Sequence, residues 1–256
     1  MDPAIQIEGL RVRFEAREVL QGIDLVVPAG KVLGYIGPNG AGKTTTIKVL
    51  IGMLPRFVGR VRVAGIDVRE EPTLVKRRIG YVPETGALYE SLTPLEHLTL
   101  IGHLHGLPEA RTRAKATELF RLLDLPRLHS RMATFSKGMK QKVLLVAGLI
   151  HNPEVLFLDE PLSGLDANAT LVVKELIAGL ARAGRTVFYS SHLMDVVERV
   201  SDRIVILNEG RIVADGSFEE LRAGLHESSL ERIFSQLTSE GEQASVAGQL
   251  LRVIQE

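Results

Sequence analysis

The sequence predicts an α/β fold with an antiparallel β layer at its start, a core of buried strands, and a helical segment inserted between the two halves of that core. Three observations predict it. Apolar residues alternate with polar ones at Ile5, Ile7, Leu10, Val12 and Phe14, then at Ile23, Leu25 and Val27, and again at Val61 and Val63, which is the period of half-buried strands. Val32-Leu33-Gly34-Tyr35-Ile36 is unbroken apolar sequence, as expected of a strand covered on both faces. From Thr93 to Ile150 the pattern is helical, and beyond it short apolar runs alternate with helical stretches.

The later elements follow from local chemistry. Thr93-Pro94-Leu95-Glu96 supplies an N-cap, a proline at the first helical position and a glutamate three residues after the cap. Breaks fall near Gly106-Leu107-Pro108 and Leu125-Pro126. Residues 155–158, 186–189 and 204–207 are expected strands, the last closed by an Asn208-Glu209-Gly210 turn, and residues 169–183 and 193–200 are expected helices. Leu230, Ile233, Phe234 and Leu237 share one helix face, so a separate helical tail is expected from about Gly224, with residues 241–256 weakly amphipathic. The expected division is a domain of residues 1–224, its core being 1–86 and 151–222 and its helical insert 87–150, followed by a helical tail of 225–256.

Composition narrows the function. The 256 residues carry 31 Lys+Arg and 31 Asp+Glu, a formal net charge of zero, and no cysteine. A neutral chain lacks the basic excess that displaces counterions from nucleic acid, so no nucleic-acid partner is expected. The lack of thiols removes disulfides and thiolate metal sites and suits a reducing compartment. The start of the chain lacks the basic and apolar run of a secretory signal. The longest apolar run, residues 143–150, falls well short of the roughly 20 needed to span a bilayer.

Gly37-Pro38-Asn39-Gly40-Ala41-Gly42-Lys43-Thr44 matches G-x-x-x-x-G-K-[ST] between a buried strand and a helix on which Ile47, Leu50, Ile51 and Leu54 are expected to share a face. Glycines there let backbone N–H groups turn inward around a phosphate, and the helix aims its positive end at the same anion. Lys43 adds a point charge for the β- and γ-phosphates, and the Thr44 hydroxyl can ligate magnesium. Val155-Leu156-Phe157-Leu158-Asp159-Glu160 ends a buried strand in two acids. Beside a phosphate loop, Asp159 suits a magnesium ligand and Glu160 suits the group that accepts a proton from attacking water. The plainer alternative is an acidic turn capping the next helix.

With these motifs in this order, the chain resembles the ATP-binding subunit of ABC transporters over about residues 4–237. Phe135-Ser136-Lys137-Gly138-Met139-Lys140-Gln141 stands where that family has its signature, usually Leu-Ser-Gly-Gly-Gln. Ser163-Gly164-Leu165-Asp166 looks like its D-loop, and His192 looks like its switch histidine. The resemblance implies a P-loop NTPase core with a RecA-like, mostly parallel sheet, ATP and Mg2+ as cofactors, and hydrolysis to ADP and phosphate. It implies nucleotide contacts from residues 37–44 and Thr45 and, in a dimer enclosing two ATP molecules, from Ser136, Gly138 and Asp166 of the opposite subunit. Phe14 falls where the family stacks an aromatic on adenine; the alternative is a core strand aromatic. Two departures stand out. Tyr81-Val82-Pro83-Glu84 has Glu84 where the family has a glutamine that meets magnesium, and the signature has Lys137 for its first glycine and Met139 for its glutamine. Both departures, and Ser229-Leu230-Glu231-Arg232-Ile233-Phe234, are similar to members with a separate permease chain, often exporters of drugs, lipids or sodium.

The expected function is therefore a motor subunit at the cytoplasmic face of the membrane, peripheral through an integral-membrane permease, pairing with itself or with a related ATPase. Residues 86–91 and the helical insert are its expected partner surface. The alternatives are a soluble ABC ATPase acting on DNA or ribosomes, a regulatory subunit that binds ATP with little hydrolysis, and a small-molecule kinase. The kinase would leave Ser136, Asp166 and His192 together unexplained.

Overall fold

The alternating segments of the first third pair with one another. In the computed structural model, which describes residues 3–86, 88–238 and Val253, the chain opens with β1 (Ile5–Phe14), β2 (Arg17–Val27) and β3 (Val32–Ile36). Helix α1 (Lys43–Leu50) leads to β4 (Val58–Val63) and β5 (Ile66–Asp67). Four of these strands form an antiparallel sheet in the order β2-β1-β4-β5. Ile5, Ile7, Leu10 and Val12 face its core, while Phe14, the last apolar residue of the alternation, is 49% exposed.

Strand β3 leaves that layer and enters a second sheet. After α2 (Pro72–Arg78) come β6 (Ile79–Val82), helices α3 (Pro94–Leu104), α4 (Glu109–Leu122) and α5 (Lys137–Leu149), and β7 (Val155–Asp159). Then follow α6 (Ala167–Arg182), β8 (Thr186–Ser190), α7 (Met194–Val200), β9 (Arg203–Asn208), β10 (Arg211–Gly216), α8 (Phe218–Leu225) and α9 (Leu230–Thr238). The sheet order is β10-β9-β3-β8-β7-β6, parallel except for the β9–β10 hairpin. This is the α/β fold that the sequence predicts, with the mostly parallel core that the resemblance implies. Alternate residues of β3 enter different clusters, Leu33 and Tyr35 on one face and Val32 and Ile36 on the other, which is why its sequence is apolar without interruption. Tyr35, Phe188 and Phe157 pack along one face as tilted rings, with centroids 4.9 and 5.6 Å apart. Burying one such ring stabilises the fold by about 1.5–3 kcal/mol.

Helices α3, α4 and α5 enclose their own apolar cluster, with Leu98, Ala116, Phe120, Val143 and Val146 at its centre. The break after α3 falls at His105 and Gly106, and Pro108 opens α4.

Three expectations are corrected. The helix after the phosphate loop ends at Leu50, so Ile51 and Leu54 are not on its face. Gly52 (φ +68°) donates to the Val49 carbonyl (3.0 Å) and Met53 to that of Lys48 (2.8 Å), which closes the helix in the left-handed way that glycine allows. Helix α6 starts at Ala167, earlier than expected, because the Asp166 carboxylate accepts from Ala169 N (2.8 Å) and caps it. The expected separate tail is packed on the core through Thr238. Leu230, Ile233 and Phe234 join the cluster of Ile206 and Val197. The weakly amphipathic stretch of residues 241–256 lies outside the described residues except for Val253.

Candidate functional site

The register of the parallel sheet brings its carboxyl ends together. Val82 lies level with Leu158, Asp159 with Ser190, and Ile36 with Ile206. The residues that leave these strands therefore share one edge, where an open α/β sheet holds its ligand.

The loop after β3 is shaped by what a side chain would strike. A Cβ on Gly37 would sit 2.3 Å from the Leu207 carbonyl oxygen, and one on Gly42 would sit 2.5 Å from a Leu20 methyl. Gly42 adopts φ +112° and opens α1 with no side-chain cap and no acid in the first turn. The first N–H groups of α1 thus keep their donor capacity for an anion. Lys43 Nζ donates to the carbonyl oxygens of Gly37 (2.5 Å) and Pro38 (3.1 Å) across the loop. Asn39, Gly40, Gly42, Lys43, Thr44 and Thr45 line a cavity of about 670 Å³. Pro38 and Ala41 line an adjoining hollow of about 390 Å³.

The opposite wall is acidic. Asp159, 4% exposed, accepts from Ser190 Oγ at 2.6 Å and from Thr44 Oγ1 at 3.2 Å. Glu84, exposed after Pro83, faces the same cavity. Asp159 and Glu84 add to burial in pushing the Tyr81 phenol up to about 12. Thr44 and the carboxylates are hard oxygen donors and fit a magnesium ion, which takes few protein ligands and fills its shell from water and phosphate.

Glu160 is held in a left-handed backbone conformation (φ +49°), a strained geometry for a residue with a Cβ. Its N–H donates to the Ser190 carbonyl at 3.0 Å. Its carboxylate, with 12% of the side chain exposed, accepts from Ser191 Oγ (3.3 Å) and pairs with His192 Nδ1 (2.8 Å). Burial raises the Glu160 pKa, while the His192 and Ser191 hydrogen bonds and the Lys43 charge lower it to a lesser degree. The net effect is a carboxylate more basic than usual, directed at the cavity that Lys43 and Thr44 line.

The remaining predicted residues lie elsewhere. Ser136 caps α5, accepting from Met139 N at 3.2 Å, and is exposed. Gly138 packs against Gly164, and Asp166 is exposed at the head of α6. None of the three is among the residues lining the Lys43 cavity. The exposure of Phe14 removes the core alternative. Phe14 pairs directly with Arg17 at the tip of the β1–β2 hairpin, so the two side chains share a face of the sheet. Arg17 and Val19 line the cavity and went unread in the sequence, as did Ser190 and Ser191. Period-two alternation puts Arg17 and Val19 on one face, and that is the signal that could have found them.

Comparison with known proteins agrees with this geometry. The ABC transporter family profile matches residues 20–163. The daunorubicin resistance ATP-binding protein DrrA3 of Streptomyces coeruleorubidus is 40% identical over 223 residues, covering 87% of this chain and 71% of its own. The ATP-binding protein NatA of Bacillus subtilis is 34% identical, with 85% and 89% covered. A solved ATP-binding subunit of an ABC transporter superposes with a TM-score of 0.86 at 36% identity, covering 91% of this chain and 99% of that one. With the phosphate loop, Asp159 and the Glu160–His192 pair at one sheet edge, the chain belongs to the ABC transporter family, as an ATP-binding and ATP-hydrolysing subunit.

Proposed function

We propose that this subunit is the motor of a membrane exporter whose permease is a separate chain. The observation that carries the proposal is the convergence of Lys43, Thr44, Asp159 and the Glu160–His192 pair on one cavity. Residues 37–45 hold the triphosphate, with Lys43 and the first N–H groups of α1 around its β- and γ-phosphates. Thr44, Asp159 and Glu84 hold Mg2+, which when bound offsets the charge of the phosphate oxygens. Glu160 takes a proton from water as the water oxygen bonds to the terminal phosphorus, and the electrons of the broken P–O bond leave with ADP. His192 orients the Glu160 carboxylate and donates to the terminal phosphate. Phe14 stacks on the adenine.

Ser136, Gly138 and Asp166 stand outside this cavity, which supports a dimer in which each copy closes over the nucleotide of the other. A solved ATP-binding cassette, MJ0796, with a TM-score of 0.77 at 22% identity, shares the fold, and it is described as dimeric and bound to ADP and Pi. The partner is a second copy or a related ATPase. In this arrangement residues 1–86 and 151–222 are the ATP-binding core and 87–150 the insert that meets the permease. Among the described residues no helix is long and apolar enough to cross a membrane. Attachment at the cytoplasmic face is through the permease in this proposal. The resistance named for DrrA3, and for the linearmycin resistance protein LnrL of Bacillus subtilis (35% identical over 218 residues), supports export.

The test is Glu160→Gln. ATP binding is retained, turnover falls by at least about 100-fold, as expected on losing a general base, and a dimer accumulates with ATP in gel filtration. Near-normal turnover removes Glu160 from this role. A pull-down of the same variant with ATP from gently solubilised native cells recovers a polytopic membrane protein. Recovery of ribosomes or DNA-bound proteins alone moves the function to a soluble ATPase.

A further inference from the structure

Lys137 occupies an unfavourable position. It is the first residue of α5, where the positive end of the helix opposes a cation, and no acid stands in the first turn. Its ammonium is directed away from the helix and donates to Ser163 Oγ at 2.6 Å. The stem of the side chain lies along Gly164, where an added Cβ would come within 2.9 Å of Lys137 Cγ. One residue on, Gly138 approaches the Gly164 carbonyl so closely that a Cβ would sit 2.5 Å from its oxygen. A second rung joins Lys142 Nζ to Asp166 Oδ2 at 4.0 Å. Ser163 in turn closes the turn from Glu160, its N–H donating to the Glu160 carbonyl at 3.1 Å. The head of α5 and the turn that starts at Glu160 are thereby one mechanical unit.

We infer that Lys137 is a positioning residue that couples the two ATP sites of a dimer. This rests on the dimer proposed above, in which Ser136 meets the nucleotide of the partner copy while Glu160 acts on the nucleotide of its own chain. Docking of the head of α5 on the partner's nucleotide is passed through Lys137 to Ser163, and through the turn to Glu160. A glycine at position 137 has no side chain with which to make this tie, so the lysine supplies it.

The experiment is the ATP dependence of steady-state hydrolysis by the full chain. The parent rate rises sigmoidally with ATP, with a Hill coefficient approaching about 2, the number of sites. Lys137→Met and Ser163→Ala each bring the coefficient to about 1 and lower kcat several-fold, the double variant is no worse than either single one, and Lys137→Arg restores the parent curve. A parent coefficient near 1, or a Lys137→Met coefficient equal to that of the parent, overturns the coupling. Light scattering of Glu160→Gln with ATP separates the two failures. A dimer that forms while Lys137→Met leaves the coefficient unmoved overturns the coupling alone, and absence of a dimer overturns the arrangement beneath it.

Discussion

Arg17 lines the same cavity as the phosphate loop but belongs to no local motif. The phosphate loop is legible in the sequence because the requirement for backbone N–H groups turned inward is met within eight consecutive residues. Local alternation puts Arg17 on one face with Val19, but its place at the cavity depends on the pairing of β1 and β2, whose register brings Phe14 opposite it. Arg17 is the register partner of Phe14 at the hairpin tip and lines the cavity with Val19, so it suits the ribose and α-phosphate end of a nucleotide. A charge-assisted hydrogen bond of about 1.5–3 kcal/mol, reduced by exposure, makes Arg17→Ala bind ATP and ADP about tenfold more weakly, both to the same degree. Arg17→Lys recovers part of the loss, since it keeps the charge without the planar fork. Calorimetric titration of the two nucleotides checks this, and an unchanged affinity in Arg17→Ala would assign the residue to the surface. Ser190 was hidden for the same reason. Its bond to Asp159 depends on β7 and β8 being level, which no local pattern states.

Elements were legible where local chemistry closes them. Thr93 caps α3 in both directions, accepting from Glu96 N at 3.2 Å while Thr93 N donates to the Glu96 carboxylate at 2.8 Å. Ser217 and Glu220 form the same box at α8, an element absent from the expected ones. Helix α2 and strand β5 also went unread, because a seven-residue helix that buries only Val75 and a two-residue strand leave no periodicity to detect. The amphipathic face of α9 was legible, but its docking site was not, since an apolar stripe does not say which surface covers it. The contrast between α3 and α1 has a functional sense. The helix that builds the insert satisfies its first N–H groups internally, whereas α1 opens on an uncapped glycine and leaves them for phosphate. Thr93→Ala therefore destabilises the fold by about 1 kcal/mol and leaves ATP affinity unchanged. A lower urea midpoint with the same slope checks the first part, and an unmoved midpoint would show that the box is redundant with the packing of Leu95 and Leu98.

Over the whole molecule, the helical insert meets the core at a junction of bases. His105, after α3, stacks on His151, after α5, with centroids 3.7 Å apart and planes at 15°. His151 Nε2 donates to the carbonyl of Ile79 (2.7 Å), where β6 enters the sheet, which fixes the proton on that nitrogen. From α4, Lys115 Nζ donates to the Ile150 carbonyl at 2.7 Å. Burial, then the charges of His105 and Lys115, bring the His151 pKa down to about 4, against a hydrogen bond that raises it. Burial and the Arg77 charge lower His105 as well. Among the described residues no carboxylate perturbs either ring, and Glu154 is engaged with Arg78. Because the folded value lies below the ordinary histidine value of about 6.5, the unfolded chain binds the proton more readily between these limits. Stability is then full above about pH 6.5 and is lost as pH falls toward about 4. The loss from His151 is at most about 3 kcal/mol, reduced to about 1–2 by the exposed edge of the ring. His151→Gln keeps a donor for Ile79 and removes the titration. The prediction is that parent and variant diverge in urea stability at neutral pH and converge as pH falls from 6.5 to 4, by the amount the ring contributes. A constant difference across that range would mean that the stacked pair is held by packing alone, and that the insert is joined to the core without a proton-sensitive contact.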